Sequence, residues 1–171
     1  MTTTLRKLSA SNDALVRHVW PKVGNAWAQL LPTELCEDRA ARALDQRAGI
    51  DALLILRKGG QVFGLASRVQ PVLKSFDTWT VRTVRPNGEP TEYAKITAAK
   101  RSGALYPHFI CHAYMSADGT TLLAAAIAQT DDVIRAVDAR QGWEIVNTED
   151  GVLAWAVPWP VIPQRIQWPS S

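Results

Sequence analysis

The chain has 171 residues, of which 47% are hydrophobic and 20% charged, an ordinary globular composition long enough to bury one core. Its 19 basic and 16 acidic residues leave a formal charge of +3, which permits a polyanionic partner without requiring one. No stretch approaches the ~20 apolar residues of a membrane span, and the first residues lack an apolar core of signal-peptide length, so the expectation is a soluble cytoplasmic protein with no membrane partner.

Ser11 or Asn12 can cap a first helix whose apolar residues Leu15, Val19, Val23, Trp27 and Leu30 recur at helical spacing, with a kink expected at Pro21. Thr33 is placed to cap a second helix that carries Glu34 and Glu37 in its first turn and ends at Gly49. From Ile50 the pattern changes to strands. Ala52 to Leu56 is short and apolar, Lys58-Gly59-Gly60 supplies a turn, and the alternating run to Gln70 completes a hairpin over Ile50–Gln70. A strand over Phe76–Arg85 ends at the turn Pro86-Asn87-Gly88. Thr91 to Gly103 reads as a helix with a threonine cap and a glycine stop. Pro107 to Met115 and Leu122 to Gln129 read as paired strands, followed by a helix from Asp131 to Gln141 and short strands at Trp143 to Val146 and Val152 to Val157. This order predicts an α/β (α+β) fold, a central mixed sheet flanked by helices. Residues 1–157 form one domain in this reading, and residues 158–171 a tail rich in proline and tryptophan, extended along the surface.

Alternation sorts the faces of the strands. Phe63, Leu65, Ser67 and Val69 share one side of the hairpin's second strand, while Gly64, Ala66, Arg68 and Gln70 share the other. Trp79 and Val81 belong to the core, and Thr78, Thr80 and Arg82 face away from it. If the two strands are antiparallel neighbours, Arg68, Gln70, Thr78, Thr80 and Arg82 form one polar surface. Guanidinium groups there can bind phosphate bidentately and the hydroxyl and amide groups can orient it. The plain alternative is the solvated face of a half-covered sheet.

A helix bearing glutamates, Asp51 at the head of a hairpin, a second strand ending in Ser67-Arg68-Val69-Gln70, then a helix and a further strand resemble the PD-(D/E)XK (restriction-endonuclease-like) nuclease superfamily. The resemblance spans roughly residues 33–115. It implies a nuclease-like fold and a divalent metal, Mg²⁺, held by Asp51 and a second acid, because Lewis acidity and a deprotonated water require converging carboxylates. Asp51 matches the first acid, Ala66 stands where the second belongs, and Arg68 replaces the lysine, with Gln70 a weak carbonyl substitute. An arginine stays protonated and cannot act as a base. Glu34 or Glu37 from the preceding helix could complete a metal site. The resemblance therefore implies a catalytically degenerate nucleic-acid-binding protein, with Asp51, Arg68 and Gln70 at the old catalytic positions, DNA ahead of RNA as partner, and no cofactor unless Mg²⁺-dependent cutting survives. Compact domains of this sort often travel on mobile genetic elements.

Lys95 and Lys100 on the Thr91–Gly103 helix extend the candidate phosphate contacts, against the plainer reading that Glu92 pairs with Lys95 and that Lys100 complements the helix C-terminus. His108 and His112 on a strand would lie ~13 Å apart, too far to share an ion. Cys36 and Cys111 fit no paired metal spacing and read as buried thiols. Trp27, Trp79 and Trp143 read as core. Trp155, Trp159 and Trp168 mark either a strap over the body or a docking surface for a protein partner, the latter making the chain an inhibitor or adaptor instead.

Overall fold

A computed structural model describes residues 11–33, 48–147 and 150–169. Glu34, Cys36 and Glu37, and with them most of the expected second helix, lie outside the described residues. Helix α1 covers residues 11–23 and contains a π-helical turn, Leu15–Val19, ahead of Trp20–Val23. Pro21 has no N–H for the preceding turn and its ring crowds that turn's carbonyls, which accounts for the widening just before it. The predicted helix extends too far: it stops at Val23, and Leu30 belongs to strand β1, Ala28–Pro32. Trp27 sits in the turn between them and donates its indole N–H to the Val23 carbonyl at 3.0 Å, closing the helix end. Gly24 is required here because a Cβ would fall 2.3 Å from the Trp20 ring.

The hairpin forms as expected, from β2 (Ala52–Leu56) and β3 (Val62–Pro71), antiparallel with Ala52 opposite Leu65. Strand β4 (Thr78–Val84) follows, then helix α2 (Glu92–Ser102), β5 (Phe109–Met115), β6 (Leu122–Gln129), helix α3 (Thr130–Asp138), β7 (Trp143–Val146), β8 (Leu153–Pro158) and β9 (Arg165–Trp168). Thr91 caps α2, its hydroxyl accepting from the Ala94 N–H at 3.2 Å, and Gly103 ends the helix in the left-handed region. The fold is mixed α+β. One sheet has the order β1-β2-β3-β5-β6-β9, in which β3 and β5 run parallel and every other pair antiparallel; the second has the order β4-β8-β7.

This topology overturns one expectation. Strand β4 is not a neighbour of β3 but pairs with β8, in a sheet laid over the face of the large one. Alternation drives the layering. Leu65, Cys111, Ala113, Met115 and Ile127 point to one side and pack with Leu15, Val19, Trp20 and Val23 of α1. Ala66, Ile110, Tyr114, Ala124 and Ala126 point to the other and meet Trp79 and Val81 of β4, Ile96 of α2 and Val133 and Val137 of α3. Full burial of each large apolar side chain stabilises by about 1.5–3 kcal/mol, so both faces carry weight.

The proline-rich end is also different from its prediction. Residues 159–161 form a 3-10 turn and β9 adds an edge to the large sheet against β6. Trp159 is fully buried, 6.0 Å from the Trp79 ring, so this part of the tail is built into the core. Trp168 packs against the α1 layer, with the Lys22 ammonium 5.4 Å from its ring. Trp143, read as core, is 51% exposed on β7, an edge strand. No helix among the described residues is long and apolar enough to cross a membrane.

Candidate functional site

Where β4 and α2 close over the hairpin, they leave a cleft of about 220 Å³. Four basic side chains, Arg68, Arg82, Arg85 and Lys95, and two carboxylates, Asp51 and Glu92, line it. Among the described lining residues that is a surplus of two positive charges, and Arg85 also pairs with Glu89 at 2.9 Å.

Asp51 stands just before β2. Its backbone N–H donates to Leu65 at 2.8 Å, and its carbonyl accepts from the Thr33 N–H at 3.0 Å and the Thr33 hydroxyl at 2.7 Å. Its carboxylate accepts from the Ser67 N–H at 2.6 Å and the Ser67 hydroxyl at 3.3 Å. The β2 backbone has run out at this point of the ladder, and the carboxylate supplies the acceptor that β3 needs. Ala66 lines the cleft at the place the resemblance reserves for a second acid.

Arg68 leaves β3 beneath β4 and donates to the Thr80 carbonyl at 3.3 Å. With its amide oxygen turned inward, Gln70 accepts from Arg68 Nε at 3.0 Å and Nη2 at 3.2 Å. Gln70 thus holds the guanidinium and does not itself line the enclosed cleft. Burial pulls the Arg68 pKa below its ordinary value and the Glu92 charge only partly offsets this. A desolvated guanidinium still carries its proton and gains most from an incoming anion.

Glu92, the first residue of α2, reaches back to β4. Arg82 donates to it from its backbone N–H at 3.1 Å, from Nε at 2.8 Å and from Nη2. The bidentate fork raises the Arg82 pKa, with burial opposing. Burial alone would raise the Glu92 pKa, but the Arg82 hydrogen bonds and charge, with Arg68 behind them, leave it below the ordinary carboxylate value. The strand register slips between Arg82 and Val84, a bulge beside the site that sets the direction in which Arg82 leaves the strand. This contact between elements is one that the spacing of Glu92 to Lys95 did not indicate.

His112 of β5 forms part of the cleft wall. Its Nδ1 accepts from the Thr80 N–H at 3.1 Å, stapling β4 to the large sheet. Burial, then the Arg68 charge, push its pKa down to about 3, so the imidazole is neutral. His108 instead accepts from the Gly64 N–H at 3.3 Å and stacks on Tyr106. Burial pushes the Cys111 thiol up to about 12, which makes it unreactive.

No family model, curated protein or solved structure matches this chain. The candidate site therefore rests on geometry. Of the residues picked from the sequence, Asp51, Arg68, Thr80, Arg82 and Lys95 meet in the cleft. Lys100 does not: it pairs with Asp131 of α3 at 2.8 Å, clamping the two helices. Glu37 lies outside the described residues. Sequence reasoning missed Glu92, Arg85 and His112. The signal for Glu92 was its place directly after the capping threonine, where a side chain can turn back past the helix start.

The fit for a divalent metal is poor in the arrangement described. Asp51 is engaged by Ser67 and Glu92 by Arg82, and among the described residues no three of His, Cys, Asp and Glu converge on one point.

Proposed function

We propose that the protein binds nucleic acid through its phosphodiester backbone, on a nuclease-like frame whose metal-binding carboxylates are degenerate. The observation that carries this reading is the cationic surplus of the cleft, four basic side chains against two acids, with Arg68 held ready by Gln70 and Thr80. An incoming phosphate gains charge-assisted hydrogen bonds from guanidinium groups that are already oriented and partly desolvated. DNA is the preferred partner. The order of the hairpin behind Asp51, a later helix α2 and then the strand β5 also fits the resemblance, while β4 between them pairs in the second sheet.

A titration of labelled DNA and RNA oligonucleotides across salt tests the reading. Affinity should fall steeply with salt, and Lys95→Ala or Arg85→Ala should each reduce the log–log slope by about one. Absence of binding at low salt refutes it. A second reading, Mg²⁺-dependent cleavage, is favoured by one observation: Glu92 brings a second carboxylate into the cleft with Asp51. Because Asp51 is engaged by Ser67 and Glu92 by Arg82, this reading requires a bound strand to free both carboxylates and ranks below the first. Cleavage abolished by Asp51→Asn, with binding retained, supports this second reading, and a protein that never cuts with Mg²⁺ or Mn²⁺ removes it.

A further inference from the structure

On the far side of Arg68, Thr80 and Arg82 the molecule opens into a second, larger groove, of about 820 Å³. Those three residues line both cavities, so the cleft and the groove share a wall. The groove has a different chemistry. Apart from the shared Arg68 and Arg82, its charged lining among the described residues is acidic, Glu144 and Asp150, and its rim carries Phe76, 63% exposed, and Trp143, 51% exposed. Neither ring is needed to fill the core. Phe76 makes an edge contact with Tyr114, and Trp143 lies on the edge strand β7.

We infer that the bound nucleic acid is single-stranded, its phosphates in the cationic cleft and its bases in the adjoining groove against Phe76 and Trp143. This inference rests on the phosphate-binding reading of the cleft. A nucleobase is uncharged and offers a flat face, which exposed aromatic rings match irrespective of sequence. A duplex keeps its bases stacked inward and brings a second row of phosphates, which the two groove carboxylates repel. The shared wall of Arg68 and Arg82 marks where a nucleotide passes from charged backbone to neutral base.

The test compares three probes on the full chain, a single-stranded DNA oligomer, the same length of duplex and a single strand of abasic residues, and repeats the single strands with the Phe76→Ala and Trp143→Ala variants. Both variants alter exposed rings, and circular dichroism checks that they fold. The single strand should bind more tightly than the duplex and the abasic strand, and each variant should weaken it about fivefold or more while leaving abasic binding unchanged. Equal affinity for the abasic and normal strands overturns the inference and leaves the phosphate reading standing. Failure of every probe to bind at low salt removes the phosphate reading itself. If the variants leave strand binding unaltered but change the sedimentation of the protein, the groove is a self-association surface and the inference falls.

Discussion

Acidification should destabilise this protein through His112 before any carboxylate is protonated. His112 is 3% exposed and holds the β4 backbone through Thr80. Its pKa is 6.5 when unfolded and about 3 when folded. Between these values the unfolded chain binds a proton that the native protein refuses, so stability rises with pH through this window and is lost as the pH falls. Going from about pH 7.5 to about pH 5, the linkage amounts to about 2 kcal/mol. This figure hardly changes with the folded value so long as that lies well below pH 5. Glu92 is held below the 4.5 of a free carboxyl, so its contribution is lost only at lower pH and does not enter the window. Urea unfolding of the natural protein and of His112→Asn at both pH values provides the assay. Asparagine keeps an acceptor near the position of Nδ1 for the Thr80 N–H and cannot titrate. The variant is less stable at both pH values because of lost volume, but should lack the ~2 kcal/mol difference between them. An equal loss in both proteins would refute the assignment of that proton to His112.

Glu92→Gln removes the charge that Arg82 and Arg68 share, with about a third of the Arg82 and Glu92 side chains exposed. Stability should fall by about 1 kcal/mol, while oligonucleotide affinity rises and becomes more salt-dependent, measured by anisotropy. Lys100→Ala breaks a pair whose side chains are 35% and 40% exposed. It should cost no more than about 0.5 kcal/mol and leave affinity unchanged, and a clear loss of binding would return Lys100 to the phosphate site. Gly24→Ala forces a methyl into the Trp20 ring and should destabilise by about 1–3 kcal/mol in urea unfolding, without altering oligonucleotide binding.

Local pattern alone fixes a good deal of this molecule. The hairpin, the capped helix α2 with its glycine stop and the paired strands β5 and β6 follow from alternation and turn chemistry, because these act between residues a few positions apart. The two faces of β3 were readable for the same reason, which is why Arg68 and Ala66 fall on the cleft side while Leu65 packs beneath α1. Trp27 shows the limit. It keeps helical phase with Val23 because both serve one core, yet it belongs to a turn.

Only the tertiary structure decided that β4 leaves the large sheet to pair with β8, and the site depends on that step. Strand pairing is a contest among all strands of the chain, settled by which arrangement buries Trp79, Val81 and Trp159 together, and no single segment records the outcome. The same holds for Glu92. It bonds Arg82, which is distant along the helix pattern and brought within reach by the packing of α2 over a bulged strand. Sequence supplied the charged side chains and the sides they point to. The crossing of two sheets, driven by apolar burial between them, made those side chains a cleft.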